Sequence, residues 1–159
     1  MLLATRANQK EAARLLIERG ADVNAKDNIA DTPYLYAGAE GRTEILRLVL
    51  AAGADLADTN RFGGTALIPA AEKGHPDNVG LLLAAGVDPD HVNGLGWTAL
   101  LEAVILSDGG PVHQRIVAML IGGGADVNIA DREGITPLAH ARQRGFSEIV
   151  RLLEAAGGR

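Results

Sequence analysis

Asp27-Asn28-Ile29-Ala30-Asp31-Thr32-Pro33 opens a segment that closes at Gly53-Ala54-Asp55, with two short apolar stretches between. Its first five residues are turn-like, because Asp and Asn side chains bond their own backbone. Thr32 offers a hydroxyl cap, and Pro33 suits the first position of a helix. The pattern predicts one short helix ending at Gly41. A second is predicted over about Thr43 to Ala52, carrying Ile45, Leu46, Leu48, Val49 and Leu50. Gly53 supplies a left-handed stop. Neither helix is long enough to be stable alone. Ile45, Leu48 and Val49 therefore need cover from neighbouring units.

The neighbours are copies of the same segment. Gly-Ala-Asp stands at Gly20, Gly53 and Gly124, Gly86-Val87-Asp88 is a close variant, and Gly157 keeps the phase, in steps of 33, 33, 38 and 33 residues. A second marker agrees. Thr32-Pro33, Thr65-Ala66, Thr98-Ala99 and Thr136-Pro137 step by 33, 33 and 38. Two markers with one period and one shared five-residue insertion identify a repeat protein, a stack with one continuous core. The expected division of a single domain over 1–159 is a partial repeat at 1–26, full repeats at 27–59, 60–92 and 93–130, and a capping repeat at 131–159. The insertion is expected as a longer loop over residues 107–112.

The stretch Asn60 to His75 (Asn60-Arg61-Phe62-Gly63-Gly64-Thr65-Ala66-Leu67-Ile68-Pro69-Ala70-Ala71-Glu72-Lys73-Gly74-His75) resembles the first half of an ankyrin repeat. Glu148 to Gly157 and Glu11 to Asn24 resemble its second half. The resemblance covers the whole chain. It implies an all-α solenoid of helix-turn-helix units with short β-hairpin fingers, and binding by surface recognition. The family's turn-tying His, three places after the Thr, is replaced here by Leu35, Ile68, Leu101 and Ala139. That apolar substitution resembles bacterial members. Pro69 departs from the pattern too, removing an N–H early in its helix.

Composition narrows the function. The charged fraction is 22% and the aromatic fraction 3%, with a net charge of -5. That balance fits helices packed on small side chains, and it disfavours a nucleic-acid backbone or an anionic membrane as partner. There is no Cys, so no disulfide or thiolate metal site. No run of about 18 apolar residues is present, so no membrane insertion is expected. Residues 1–6 are too short for a signal peptide. A cytoplasmic monomer is expected, with a periplasmic or secreted location as the alternative if a leader is missing from this chain.

The residues give little to catalysis. Ser107, Asp108 and His113 lie close in sequence, but an inserted Gly-Gly-Pro loop is no rigid scaffold for a triad. Gly94-Leu95-Gly96-Trp97-Thr98-Ala99 mimics a dinucleotide fingerprint without the βαβ unit that gives it meaning. His75 falls at the family's inter-helix His position, and Asp90-His91 offers too few ligands for a metal. No enzyme activity, cofactor or metal is assigned.

Surface recognition is left. The finger tips carry Ile29, Arg61, Phe62, Leu95, Trp97, Arg132, Glu133 and Ile135. The concave helix positions carry Tyr36, Glu72, Lys73, Glu102, His140 and Arg144. Large apolar residues in turns call for a reason. They form a protein interface, or they pack between adjacent fingers; the sequence leaves both open. The expected function is non-enzymatic protein binding through the groove and finger tips. The alternative is an accessory or chaperone-like protein that stabilises or neutralises one enzyme or toxin.

Overall fold

The computed structural model describes all residues 1–159 as ten helices: α1 (Leu2–Arg6), α2 (Lys10–Glu18), α3 (Pro33–Ala39), α4 (Thr43–Ala51), α5 (Leu67–Glu72), α6 (Pro76–Ala85), α7 (Ala99–Ile105), α8 (Pro111–Gly122), α9 (Pro137–Gln143) and α10 (Ser147–Ala155). Odd-numbered helices contact one another in sequence and form an inner layer, and even-numbered helices do the same outside. The apolar faces meet between the layers. Leu35, Ile45, Leu67, Leu82, Leu100, Ile116, Leu138 and Ile149 are buried in one continuous core.

Backbone sterics set the turns. Every residue with positive φ falls at one of three repeated places: the end of an outer helix, the link before it, or the finger two residues before the Thr. Twelve of these residues are Gly; Asn8 and Ala30 are the exceptions. The fingers contain no strand, which corrects the hairpins that the resemblance implied. Each is a tight turn held by its first residue. Asn60 N–H donates to Gly64 O at 3.0 Å, and Asn60 Oδ1 accepts the N–H groups of Phe62 and Gly64. Asp27, Asn93 and Asp131 do the same in the other fingers.

The closed finger delivers the Thr to its helix. Thr32, Thr98 and Thr136 accept a cap from the N–H three residues on. Thr65 does not. In the other repeats, residue Thr+4 donates its N–H to the Thr carbonyl, as Tyr36, Glu102 and His140 do. Pro69 has no N–H, so Ile68 N–H turns to Thr65 O instead, and Thr65 Oγ1 is buried without a partner.

The five extra residues divide. The link between α7 and α8 is residues 106–110, against 40–42 in the second repeat, and α8 has 12 residues against nine in α4. Pro111 and Val112 therefore begin a helix and are not loop, because Pro111 is preset for a helix start. The link is tied down. Arg144 donates to Ser107 O at 2.7 Å, Gln114 Nε2 donates to Gly109 O, and Gly109 lies against the Phe146 ring.

Adjacent repeats are also stapled by polar side chains. Asn78, fully buried on α6, donates to Ala37 O and Gly38 O at 2.9 and 3.0 Å. At the outer turns, Asn24 accepts Asp55 N–H and donates to Gly53 O, and Asn128 bonds Arg159 N–H and Gly157 O. Asp90 accepts Asp126 N–H in the same way. Ala57 occupies the corresponding place in the second repeat and makes no such bond.

Two stability gains are expected. Ala57→Asn should bond Gly86 O and Asp88 N–H and add about 1 kcal/mol, a rise of about 2–4 °C in melting temperature for a chain of this size. An unchanged or lower midpoint would show that the second turn cannot form the clamp. Pro69→Ala restores the missing N–H and frees Thr65 Oγ1 to cap, so a gain of similar size is expected by thermal melting.

Candidate partner-binding groove

A groove of about 440 Å3 runs between the fingers and the inner helices of the middle repeats. Tyr36 and Ala39 on α3, Ile68, Pro69 and Glu72 on α5, and Glu102 on α7 supply its floor and one wall. Asn60, Arg61 and Phe62 of one finger and Asn93 and Leu95 of the next supply the other. Its rim is apolar and open: Phe62 is 57% exposed, Leu95 53% and Leu106 48%.

The fingers are rigid enough to hold these side chains apart. Gly94 N–H donates to Phe62 O at 2.8 Å, joining two fingers. A Cβ on Gly94 would stand 2.9 Å from that oxygen, so only Gly permits the approach. His91 Nε2 bonds Gly63 O at 2.7 Å, and Arg132 donates to Gly94 O while its side chain covers Gly96. The Arg61 guanidinium stacks 4.7 Å from the centre of the Phe62 ring.

Charge within the groove is unevenly matched. Lys73 pairs with Glu40, and Asp31 lies 3.6 Å from Arg6. Glu72 and Glu102 have no ion pair. Glu102 is 5% exposed and accepts one hydrogen bond, from Asn93 Nδ2 to Oε1 at 2.8 Å. Burial, with the like charge of Glu72 added, pushes its carboxyl up from 4.5 to about 7, and the Asn93 amide offsets only part of this. His140 holds the equivalent place in the last repeat. Its Nε2 meets Asp131 Oδ2 at 2.7 Å. Burial alone would raise Asp131, but the Ile135 N–H and His140 hold it below the ordinary carboxylate value.

Among the residues expected to recognise a partner, Tyr36, Arg61, Phe62, Glu72, Lys73, Leu95 and Glu102 come together in this groove. Ile29, Trp97, Arg132, Glu133, Ile135, His140 and Arg144 lie outside it. Ile29 is exposed on the first finger, while Trp97 and Ile135 are half-buried. Arg144 stacks on Phe146 and bonds Ser107 O, so its head is engaged within the chain. Asn60, Asn93, Ile68 and Pro69 also line the groove, and none of them is among the residues expected from the sequence. An Asp or Asn five residues before each Thr was the available signal for the first two.

The catalytic alternatives look different in three dimensions. Ser107 Oγ accepts the Gly109 N–H, and His113 Nε2 bonds Glu72 O. His113 Nδ1 lies 3.7 Å from Asp108 Oδ1, but its Nε2 is taken by Glu72 O and not by Ser107. No group of three or more His, Asp or Glu is arranged to hold a metal ion, and no helix is long and apolar enough to cross a membrane.

A buried charge in the groove makes stability pH-dependent. The folded carboxyl of Glu102 titrates above its unfolded value, so folding binds a proton between about pH 4.5 and 7 and stability falls as pH rises through that window. Glu102→Gln should raise stability by up to roughly 3 kcal/mol at pH 8 and by little below pH 4.5. Urea melts of both chains at pH 4 and pH 8 check this; equal differences at the two values would place the charge elsewhere.

The comparisons agree with the architecture. A family model described as ankyrin repeats (3 copies) matches at residues 1–93, 36–131 and 67–157. The crystal structure of an ankyrin repeat domain from Acinetobacter baumannii is 63% identical with a TM-score of 0.97, covering 98% of this chain and 80% of that one. The ankyrin repeat protein EF0377 is 52% identical with a TM-score of 0.92, covering 95% of this chain and 77% of its own. The ankyrin repeat protein YahD of Escherichia coli is 52% identical over 56 residues, which is 35% of this chain and 28% of YahD. Ten helices in two layers, fingers closed on an Asp or Asn, and these matches together place the chain in the ankyrin-repeat family.

Proposed function

We propose that this chain, as one repeat domain over 1–159, is a non-enzymatic module that binds a protein partner in the groove centred on Phe62 and Leu95. Ankyrin repeats are in general protein–protein interaction modules, and that supports the class of function. The observation that carries the reading is the groove rim. Phe62 and Leu95 stand more than half exposed on fingers that backbone hydrogen bonds fix in place. A large apolar side chain held in water on a rigid support gains by burial against a second protein, and rigidity lowers the entropy cost of doing so. The net charge of -5 supports a protein partner over a nucleic acid. The protein acts as a monomer in the cytoplasm on this reading.

The test is affinity capture from the native host with the wild-type chain and with Phe62→Ala/Leu95→Ala. Loss of one central anchor typically costs about 2 kcal/mol of binding, so the double variant should retain a captured protein at least thirtyfold less tightly. Its melting temperature should move little, since both side chains are exposed. Trp97, the one Trp, donates its backbone N–H to Asn93 of the groove wall and should shift its emission to the blue when the partner binds. A partner held equally well by the double variant would move the interface off this groove.

A further inference from the structure

Two of the four carboxyl groups that line the groove, Glu72 and Glu102, have no ion pair, whereas Asp31 and Glu40 each have one. Glu102 is 95% buried by its own fold, yet only Oε1 is bonded, to Asn93; Oε2 takes no hydrogen bond and borders the groove. Glu72, one inner helix away on α5, adds negative charge to the same end and makes no ion pair. Of the two cations that line the groove, Lys73 pairs with Glu40, and Arg61 stacks on the Phe62 ring and pairs with neither Glu72 nor Glu102. A neutral donor could satisfy Oε2, but it would leave the repulsion between Glu72 and Glu102 in place. A cation removes both deficits. The path to it is apolar. Phe62, Leu95 and Leu106 border the same space, and their surfaces match the alkyl stem of a long basic side chain.

We propose that this end of the groove receives a lysine or arginine side chain of the protein partner, its stem against Phe62, Leu95 and Leu106 and its charge at Glu102 Oε2 and Glu72. The inference rests on the reading of the groove as a protein interface and adds the chemistry that selects the partner. The buried carboxylate then acts as a selector. An acidic segment meets repulsion, a purely apolar one leaves Glu102 unpaired, and a basic residue beside an apolar one meets both needs. Cation binding favours the charged carboxyl, so it lowers the titration midpoint of Glu102 by linkage.

The experiment pans a random dodecapeptide display library on the full chain at pH 8, then measures selected peptides by calorimetry. The expected result is peptides sharing a Lys or Arg next to an apolar residue. Glu102→Gln, which keeps the shape and the Asn93 bond, should weaken them at least tenfold at pH 8. Glu72→Gln, on the less buried member of the pair, should weaken them about threefold. Replacing the peptide Lys by norleucine should cost as much on the wild type and almost nothing further on Glu102→Gln. Carbon-13 titration should find the Glu102 carboxyl lower in the complex than in the free chain. Peptides that Phe62→Ala abolishes but that are indifferent to Glu102→Gln and to norleucine overturn the cation and leave the interface standing. Peptides indifferent to Phe62→Ala as well overturn the groove reading and the cation with it.

Discussion

A single oxygen closes each finger, and the rest of the repeat is built from that closure. Oδ1 of Asp27, Asn60, Asn93 or Asp131 accepts two backbone N–H groups, two and four residues on. With them paired, the chain reverses in five residues without a strand partner. The reversal sets the direction in which the Thr enters the inner helix, and it leaves the tip residue projecting. It also brings successive fingers close enough for Gly94 N–H to reach Phe62 O. An ordered groove wall made of turns is possible because each turn satisfies its own polar groups. Ala30 shows how strongly the closure dictates geometry. It takes the left-handed conformation at φ 63°, where the other fingers have Gly, and an L-residue is strained there by about 1–2 kcal/mol.

Most of the architecture is legible in the sequence because the repeat multiplies weak signals. One Thr-Pro is a hint, whereas the same phase in successive segments, with the same five-residue slip, fixes the register of every helix. What the sequence reading misplaces is local. The slip looks like pure loop because Gly109-Gly110-Pro111 reads as turn chemistry. In the fold, Pro111 starts α8, and part of the insertion becomes an extra turn of outer helix. The family likeness implies β-hairpin fingers; self-contained Asp and Asn turns take their place. The groove was only half legible. Exposed aromatics and charges point toward it, but the pairing of Glu102 with Asn93 joins residues from a turn and a helix whose distance no periodicity reveals.

Position Thr+4 shows how one scaffold place carries different electrostatics. Tyr36, Pro69, Glu102 and His140 occupy it in successive repeats. His140 faces Asp131 and completes a short pair. Tyr36 lies under the Arg6 guanidinium, 5.5 Å from its centre. Glu102 faces Asn93, a neutral residue where Asp131 stands in the last finger. An Asp there would add a third negative charge. A basic residue in place of Glu102 would pair with Glu72 and leave nothing to satisfy. The combination present is the one that holds an acid in a nearly dry site with a single neutral donor.

Some local defects of the stack fall in the repeats that form the groove, and others, such as the strained Ala30 and the buried Arg42 Nε without a partner, fall outside it. Ala57, three residues before Asn60, lacks the outer clamp. Thr65 lacks its capping bond because of Pro69, which lines the groove itself. Glu102 keeps a charge in a site that burial disfavours. Each raises the energy of the folded chain, and none is needed for the repeat to form, since other repeats satisfy the same places. A buried staple sits at the same seam. Asn78 holds the end of α3 by two buried hydrogen bonds, and Gly38 allows α5 so near that a Cβ would stand 2.7 Å from the Ala66 Cβ. Asn78 Oδ1 is itself buried without a partner, so deficits stand on both the core side and the open side. A solenoid can carry such deficits because each repeat depends only on its neighbours. On the proposed reading of the groove, the unpaired Glu102 carboxyl is the deficit that a partner's cation would remove.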